Sequence, residues 1–320
     1  MSDTSFEKRR IDVVFNIVQG GFDGNKNEQI TLSGHRVFCQ ILSAGMETGV
    51  MCALRIEGMQ LDQMNQLSVV QAGVVAQSQN TVTVMAGSEG RALSTVFSGG
   101  IIEGFVDYSG APNVAFEVRA LSTAISSTMP VTTTSFNSGA SVATIMQTIA
   151  GKIGLKFQNN GVDAVIAGPV YYWGTASAQM NACAQAVGIY YIIAMNILHI
   201  WPKAFTADSS GAVEVSSDNG LIGYPSYSQG GVGLQCLFNP NIAFRSTIKL
   251  KSQYSPAAWV NDSGQLKSLA GGAIYPPSNG LWVVQRMQHD LQTEEPGGPW
   301  VTTIEAARPE LSVGIATFGR

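Results

Sequence analysis

The stretch DNGLIGYPSYSQGGVGLQCLFNPNIAFRSTIKLKS runs from Asp218 to Ser252. Turn signals stand at Asn219-Gly220, at Gln229-Gly230-Gly231 and at Asn239-Pro240, and the segments between them alternate apolar and polar residues as half-buried strands do. Successive side chains of a strand point to opposite faces, so Val232, Leu234, Cys236 and Phe238 fall on one face and Gly233, Gln235 and Leu237 on the other. Ile248 and Leu250 continue the inward set between Lys249 and Lys251. The stretch reads as a β-meander, with Gly223, Pro225, Asn239 and Pro240 as the structural turn residues that set strand register.

Alternation of the same kind recurs upstream. Residues 8–19 place Ile11, Val13, Phe15 and Ile17 on one face of a strand, and Gly20 to Asn25 make a turn. Short strands are expected over 28–32 and 37–43, and Met51 to Gly58 forms a strand with Leu54 and Ile56 inward. Leu61, Met64 and Leu67 recur every three residues, which predicts a short helix or 3₁₀ turn. Strands 81–86, 93–108 and 114–122 follow, the long middle one kinked at Gly99-Gly100.

From Pro130 the character changes. Val131 to Ser138 is polar and linker-like; Ser141 is an N-cap candidate for a helix carrying Val142, Ile145, Met146 and Ile149 on one face. Gly174-Thr175 opens a second helix with Ala178, Cys183, Ala186 and Val187 packing, and strands 189–194 and 197–201 pair across Met195-Asn196. This is an α+β segment between two all-β segments. Residues 254–277 read as an extended loop, 280–290 and 300–306 as a hairpin, and 308–320 as a tail without a pattern.

Several of these phrases carry a resemblance. Gly220-Leu-Ile-Gly-Tyr-Pro225, Leu237-Phe-Asn-Pro-Asn-Ile242, the Ile56-to-Ser68 passage from strand to brief helix, Tyr190 to Pro202, and the final hairpin whose last strand begins at Trp300 together resemble the baseplate central hub proteins of contractile-tailed bacteriophages, Mu-like and T-even-like. The resemblance runs over residues 10–306 and contains no catalytic residues. It implies a β-rich α+β fold in which two small, tube-like β-barrel domains flank an α+β domain. The implied divisions are 1–129 (first barrel), 130–205 (α+β), 206–307 (second barrel) and 308–320 (C-terminal tail). It also implies a structural virion protein, a homotrimer that connects a six-fold tail tube protein to a three-fold spike protein. Tape-measure and other baseplate proteins are further partners, and DNA is only passing cargo in the channel. The expected location is the virion tail baseplate, after synthesis in the host bacterial cytoplasm. A phage receptor- or carbohydrate-binding tail module, or the hub of a phage-derived secretion or tailocin particle, stands as the alternative.

Composition bounds the function classes. Charged residues are 12% of the 320, about half the ~25% of an average globular domain, as expected of a subunit whose faces partners cover. Residues 131–205 hold only three Lys or Arg and one Asp or Glu. With no basic stripe, binding through phosphate neutralisation is not expected. Cys39, Cys52, Cys183 and Cys236 stand far apart with no CxxC spacing, which predicts buried reduced thiols and no metal or disulfide framework. The longest apolar run, Ile189 to Ile200, is broken by Asn196 and His199 and too short to span a bilayer, so no membrane insertion is expected.

Catalytic machinery is not apparent. His35, His199 and His289 are the only histidines, and no Ser or Cys stands in a nucleophile-elbow setting. Asp62, Glu103 and Asp107 read as solvated acids of alternating strands. The glycine clusters near 20–24 and 230–233 lack the Lys-Ser/Thr that a phosphate loop needs. Tyr171, Tyr172 and Trp173 offer rings that stack on a sugar, but a buried domain seam is the stronger expectation for them. The chain is read as no enzyme, with no cofactor.

Overall fold

A computed structural model of the chain describes residues 7–17, 29–45, 49–68, 80–204, 207–228, 231–253 and 280–308. The expected turn at 20–25, the loop 254–277 and the tail beyond Arg308 lie outside them. The chain is β-rich with few helices, and it divides into two compact units. The first comprises residues 1–41, 45–202 and 291–299; the second comprises 42–44, 203–290 and 300–320.

In the first unit, β1 (Arg9–Asn16), β2 (Gln29–Leu32), β3 (Arg36–Gly45), β4 (Gly49–Glu57), β5 (Thr81–Ser88), β6 (Ser94–Asp107) and β7 (Ala115–Leu121) are ordered β3-β4-β7-β6-β5-β1-β2. Strand β1 is buried from Ile11 to Phe15 on both faces. Strand β4 alternates, with Cys52, Leu54 and Ile56 inward and Met51 and Ala53 outward, as its sequence dictates. Its outward Arg55 lies opposite Glu117 of β7 and donates to Glu117 Oε1 (2.6 Å) and Asp107 Oδ2 (2.9 Å). Helix α1 (Leu61–Leu67) buries Met64 and Leu67 but leaves Leu61 exposed, because a 3.6-residue helix carries a three-residue repeat off one face. The register of β6 slips on both sides of Gly99-Gly100, where it meets Val84/Met85 and at Ile101/Glu103. A Cβ at Gly99 would sit 2.6 Å from the Leu121 carbonyl oxygen and one at Gly100 2.9 Å from the Ala124 Cβ, so these glycines serve close approach. Among the described residues, no strand pairing returns from β2 to close this sheet into a barrel.

The α+β part of this unit contains α2 (Ala124–Thr128), β8 (Thr134–Phe136), β9 (Ala140–Ser141), α3 (Val142–Lys152), β10 (Lys156–Asn159), β11 (Val165–Ile166), β12 (Val170–Tyr172), α4 (Ala176–Val187), β13 (Tyr190–Ala194) and β14 (Ile197–Trp201). Ser141 and Thr175 cap α3 and α4 by accepting from the amides of Thr144 and Ala178. Met195 and Asn196 both take positive φ in the tight turn between β13 and β14. Two expectations are corrected. The packing face of α4 is Ala176, Met180, Cys183 and Ala184, while Ala178 and Ala186 are exposed, since the i, i+4, i+7, i+8 spacing selects the face where alanines give no signal. The 131–138 linker contains β8, paired with β12 and pinned by side chains. Thr134 Oγ1 donates to Gln179 Oε1 (2.6 Å), Gln179 Nε2 donates to the Thr132 carbonyl (3.1 Å), and Lys152 Nζ donates to the same carbonyl (2.6 Å).

In the second unit, β15 (Val213–Ser216), β16 (Leu221–Ser228), β17 (Gly231–Leu237), β18 (Thr247–Lys251), β19 (Gly280–Gln292) and β20 (Trp300–Ala307) are ordered β16-β17-β20-β19, with β18 pairing β19 and β15. Val232, Leu234, Cys236, Ile248 and Leu250 face inward around the fully buried Trp282, as their alternation requires. The meander reading is corrected in its neighbours: β17 pairs with β20, and β18 lies beyond β19. Alternation assigns a face to each strand but not the strand beside it.

The Gln179 clamp generates a stability expectation. Gln179→Ala takes the acceptor from the buried Thr134 hydroxyl and a donor from the Thr132 and Gly174 carbonyls, while Lys152 keeps its bond to Thr132, and is expected to cost about 2 kcal/mol. Urea denaturation of the pure variant measures it. An unchanged midpoint would show that β8 is held by its backbone pairing alone.

Candidate functional site

Among the described residues, the histidines and the acids singled out above lie apart from one another. His289 is buried in β19, its Nδ1 2.8 Å from Thr302 Oγ1 and its ring edge-on to Phe238 at 5.2 Å. Burial pushes its pKa down to about 4, only partly opposed by Asp290, so it is neutral at physiological pH. His199 in β14 stacks on Trp201 and is lowered by burial, and His35 is a separate residue whose Nδ1 lies 3.2 Å from the Ser33 carbonyl. All four cysteines are free and buried, and burial pushes Cys183 and Cys236 up to about 11. Of the three acids singled out above, Glu103 pairs with Arg119 and Asp107 with Arg55, while Asp62 stands apart on α1. Hydrogen bonds from Ser109 and then Arg55 hold Asp107 at about 2. Among the described residues, no three metal-ligating side chains cluster, and no helix is long and apolar enough to cross a membrane.

What the structure does present is surface. Residues 219–244 contain no Asp, Glu, Lys or Arg, and they build the β16–β17 hairpin. Strand β16 ends the strand order of its unit, so its outer edge pairs with no strand among the described residues. Gly223 and Pro225 lie inside this edge strand and not at a chain reversal. The register runs Ile222↔Gln235 and then Ser226↔Gly233, so three residues of β16 oppose Leu234 alone. Gly223 takes φ +68 in that bulge, and Pro225, which has no N–H to offer a ladder, is buried. The bulge throws Tyr224 outward to 71% exposure, beside Ile222, and Leu237 on β17 is 55% exposed. Asn239 and Pro240 follow β17 in a turn, where Asn239 Oδ1 accepts from the Asn241 amide (3.0 Å) and the Asn239 carbonyl from Ile242 (3.2 Å).

A second uncharged surface lies on the α+β part. The expectation of a buried seam for its aromatic run is corrected: Tyr171 and Trp173 are 66% and 73% exposed, because β12 turns Val170 and Tyr172 inward and its alternate residue outward. Together with Val165, Pro169 and Val187, Tyr171 borders a groove of about 440 Å³. Sequence reading missed both surfaces as surfaces. The signal was the absence of charge from Asn219 to Phe244 and from Ala164 to Pro202, which period-2 analysis does not register.

The comparisons with known proteins bear on what such surfaces serve. A family profile described as baseplate hub gp41 matches residues 10–263. The chain belongs to the baseplate hub gp41 family. Members of this family are structural components of the phage tail baseplate, which places the protein in the tail of a virion. No curated protein matches the chain. Among solved structures, a tail protein from Neisseria meningitidis MC58 is similar at TM-score 0.56 and 7% identity, covering 95% of this chain and 98% of that one. The 43 kDa tail protein of prophage MuSo2 from Shewanella oneidensis is similar at TM-score 0.52 and 12% identity, covering 94% and 98%. A type VI secretion component from E. coli, described as resembling the T4 tail proteins gp27 and gp5, is similar at TM-score 0.51 and 12% identity, covering 85% and 73%. At these identities the likeness is one of fold.

Two outcomes are expected here. Gly223→Val forces a β-branched residue to positive φ and is expected to cost about 2 kcal/mol, while Gly223→Asn costs less than half of that; thermal melts of the two variants compare them directly. His289 has a folded pKa below its unfolded value, so the unfolded chain takes the proton first as pH falls. Its contribution is complete above pH 6.5 and is lost toward pH 4, on the order of 3 kcal/mol. Stability measured from pH 7 to 4 is therefore expected to fall less steeply in His289→Gln than in the parent chain.

Proposed function

We propose that this chain is the central hub of the baseplate, joining the six-fold tail tube to the three-fold spike and lining the channel through which DNA passes. The observation that carries the reading is the uncharged, exposed edge hairpin of a chain in this family. Soluble proteins guard a free strand edge with lysines, charges or a cover, because an open edge templates association. Here the bulge at Gly223-Tyr224-Pro225 interrupts the edge, but no charge protects it, which favours coverage by another subunit. Copies meeting head to tail form a closed ring when the rotation permits. Three copies that each contribute two similar β-domains would present six to the tube and three-fold symmetry to the spike. In this reading the domains are 1–129, 130–205 and 206–307, with barrels completed in the assembly. The partners are the tube protein, the trimeric spike, tape-measure and other baseplate proteins. A net charge of −4 suits a channel that must not retain passing phosphates. The chain works without catalysis.

A second reading rests on Tyr171 and Trp173. An exposed Tyr171 ring bordering an uncharged groove, with the exposed Trp173 two residues on, suits stacking on a sugar face, as a carbohydrate- or receptor-binding tail module would need. Glycan-array binding lost in Tyr171→Ala would favour it over the hub.

The hub reading predicts a trimer in analytical ultracentrifugation, alone or on adding the spike protein, and rings in negative stain. The double variant Tyr224→Glu, Leu237→Glu places charge in the contact and is expected to weaken self-association at least tenfold while leaving the monomer folded. A two-fold dimer, or a trimer indifferent to both substitutions, would overturn this assignment of the edge.

A further inference from the structure

Strands β3 and β4 are neighbours, and each turns one cysteine inward. Cys39 Sγ lies 4.0 Å from Cys52 Sγ, and the two residues are 0% and 3% exposed. The remaining thiols are remote from this pair: Cys183 belongs to the α+β core beside Tyr172, and Cys236 to the core of the second unit.

We propose that Cys39 and Cys52 are a latent cross-strand disulfide, a modification site that a small uncharged oxidant closes in the folded protein. A disulfide needs sulfurs about 2.05 Å apart, so the pair must close by about 2 Å, a displacement within reach of side-chain rotation and small strand adjustment. The chemistry balances with hydrogen peroxide as the oxidant. One sulfur attacks a peroxide oxygen, the O–O bond breaks, and sulfenic acid and water form. The second thiol then displaces the hydroxyl as a second water, leaving the S–S bond. Burial without a cation nearby holds Cys52 in its protonated form, which slows the first step and keeps the pair reduced in a reducing compartment. The closed bond would tie β3 to β4 across the residues between them. This inference is independent of the hub assignment.

The test uses the full folded chain. It is treated with hydrogen peroxide, denatured, and alkylated with N-ethylmaleimide, and its mass is measured before and after dithiothreitol. Two of the four cysteines are expected to escape alkylation and to regain it on reduction. Trypsin cuts after Arg36 and Arg55, so both cysteines lie in one peptide, which should be about 2 Da lighter than its reduced form. Further cleavage after Glu47 should leave two fragments joined by the bond. The Cys39→Ser and Cys52→Ala variants should each keep all remaining thiols free under the same treatment. Four alkylated cysteines after oxidation, or sulfinic acid at Cys39 or Cys52 in place of a link, would overturn the proposal, as would a bond involving Cys183 or Cys236.

Discussion

The ladder between β17 and β20, from Val232↔Ala306 to Leu237↔Val301, is the interaction on which the second unit depends. It inserts the C-terminal hairpin between two strands that are near in sequence, and so forces β18 to the far side of β19. Trp282 of β19 is thereby surrounded, with Val215, Ile248 and Leu250 among the residues that bury it, and Arg308 lies over its ring at 4.9 Å. The same ladder fills one side of β17 and leaves β16 as the edge. Because β-pairs separated by some 70 residues close before their contacts are rewarded, this core forms as a non-local event.

The first unit solves a different problem, ordering polar chain with few charges. Gln179, fully buried on α4, satisfies Thr134 and two backbone carbonyls, and Lys152 adds a charged donor to the same carbonyl of Thr132. A buried amide is stabilising only when its hydrogen bonds are made, and here they hold Thr134 of a Thr-rich stretch in a buried position. Where charges do occur they are concentrated, as in Arg55 with Asp107 and Glu117, which is half-exposed and modest in energy.

Buried and paired polar groups contrast with the apolar groups left at the surface. Among the described residues, His289 and the cysteines are buried and Asp107 is paired with Arg55. Among the chain's exposed apolar groups, Tyr224, Leu237, Tyr171 and Trp173 sit in stretches without charge, the composition of contact surfaces.

By itself the sequence determined the inward faces of several strands and the starts of two helices. Alternation set the faces of β4, β17 and β18, Ser141 and Thr175 marked the helix starts, and Met195-Asn196 marked a hairpin, because side-chain direction and capping are local properties of the backbone. The phrases at 220–225, 237–242 and 190–202 also carried the family. Only the tertiary structure decided which strands are neighbours, that Thr134 belongs to a strand, and that Gly223 and Pro225 form a bulge with Tyr224 outside. It also brought Cys39 within 4.0 Å of Cys52. The reason is one of range: a strand's faces are set residue by residue, whereas its partner is chosen by burial and hydrogen bonding summed over segments far apart in the chain.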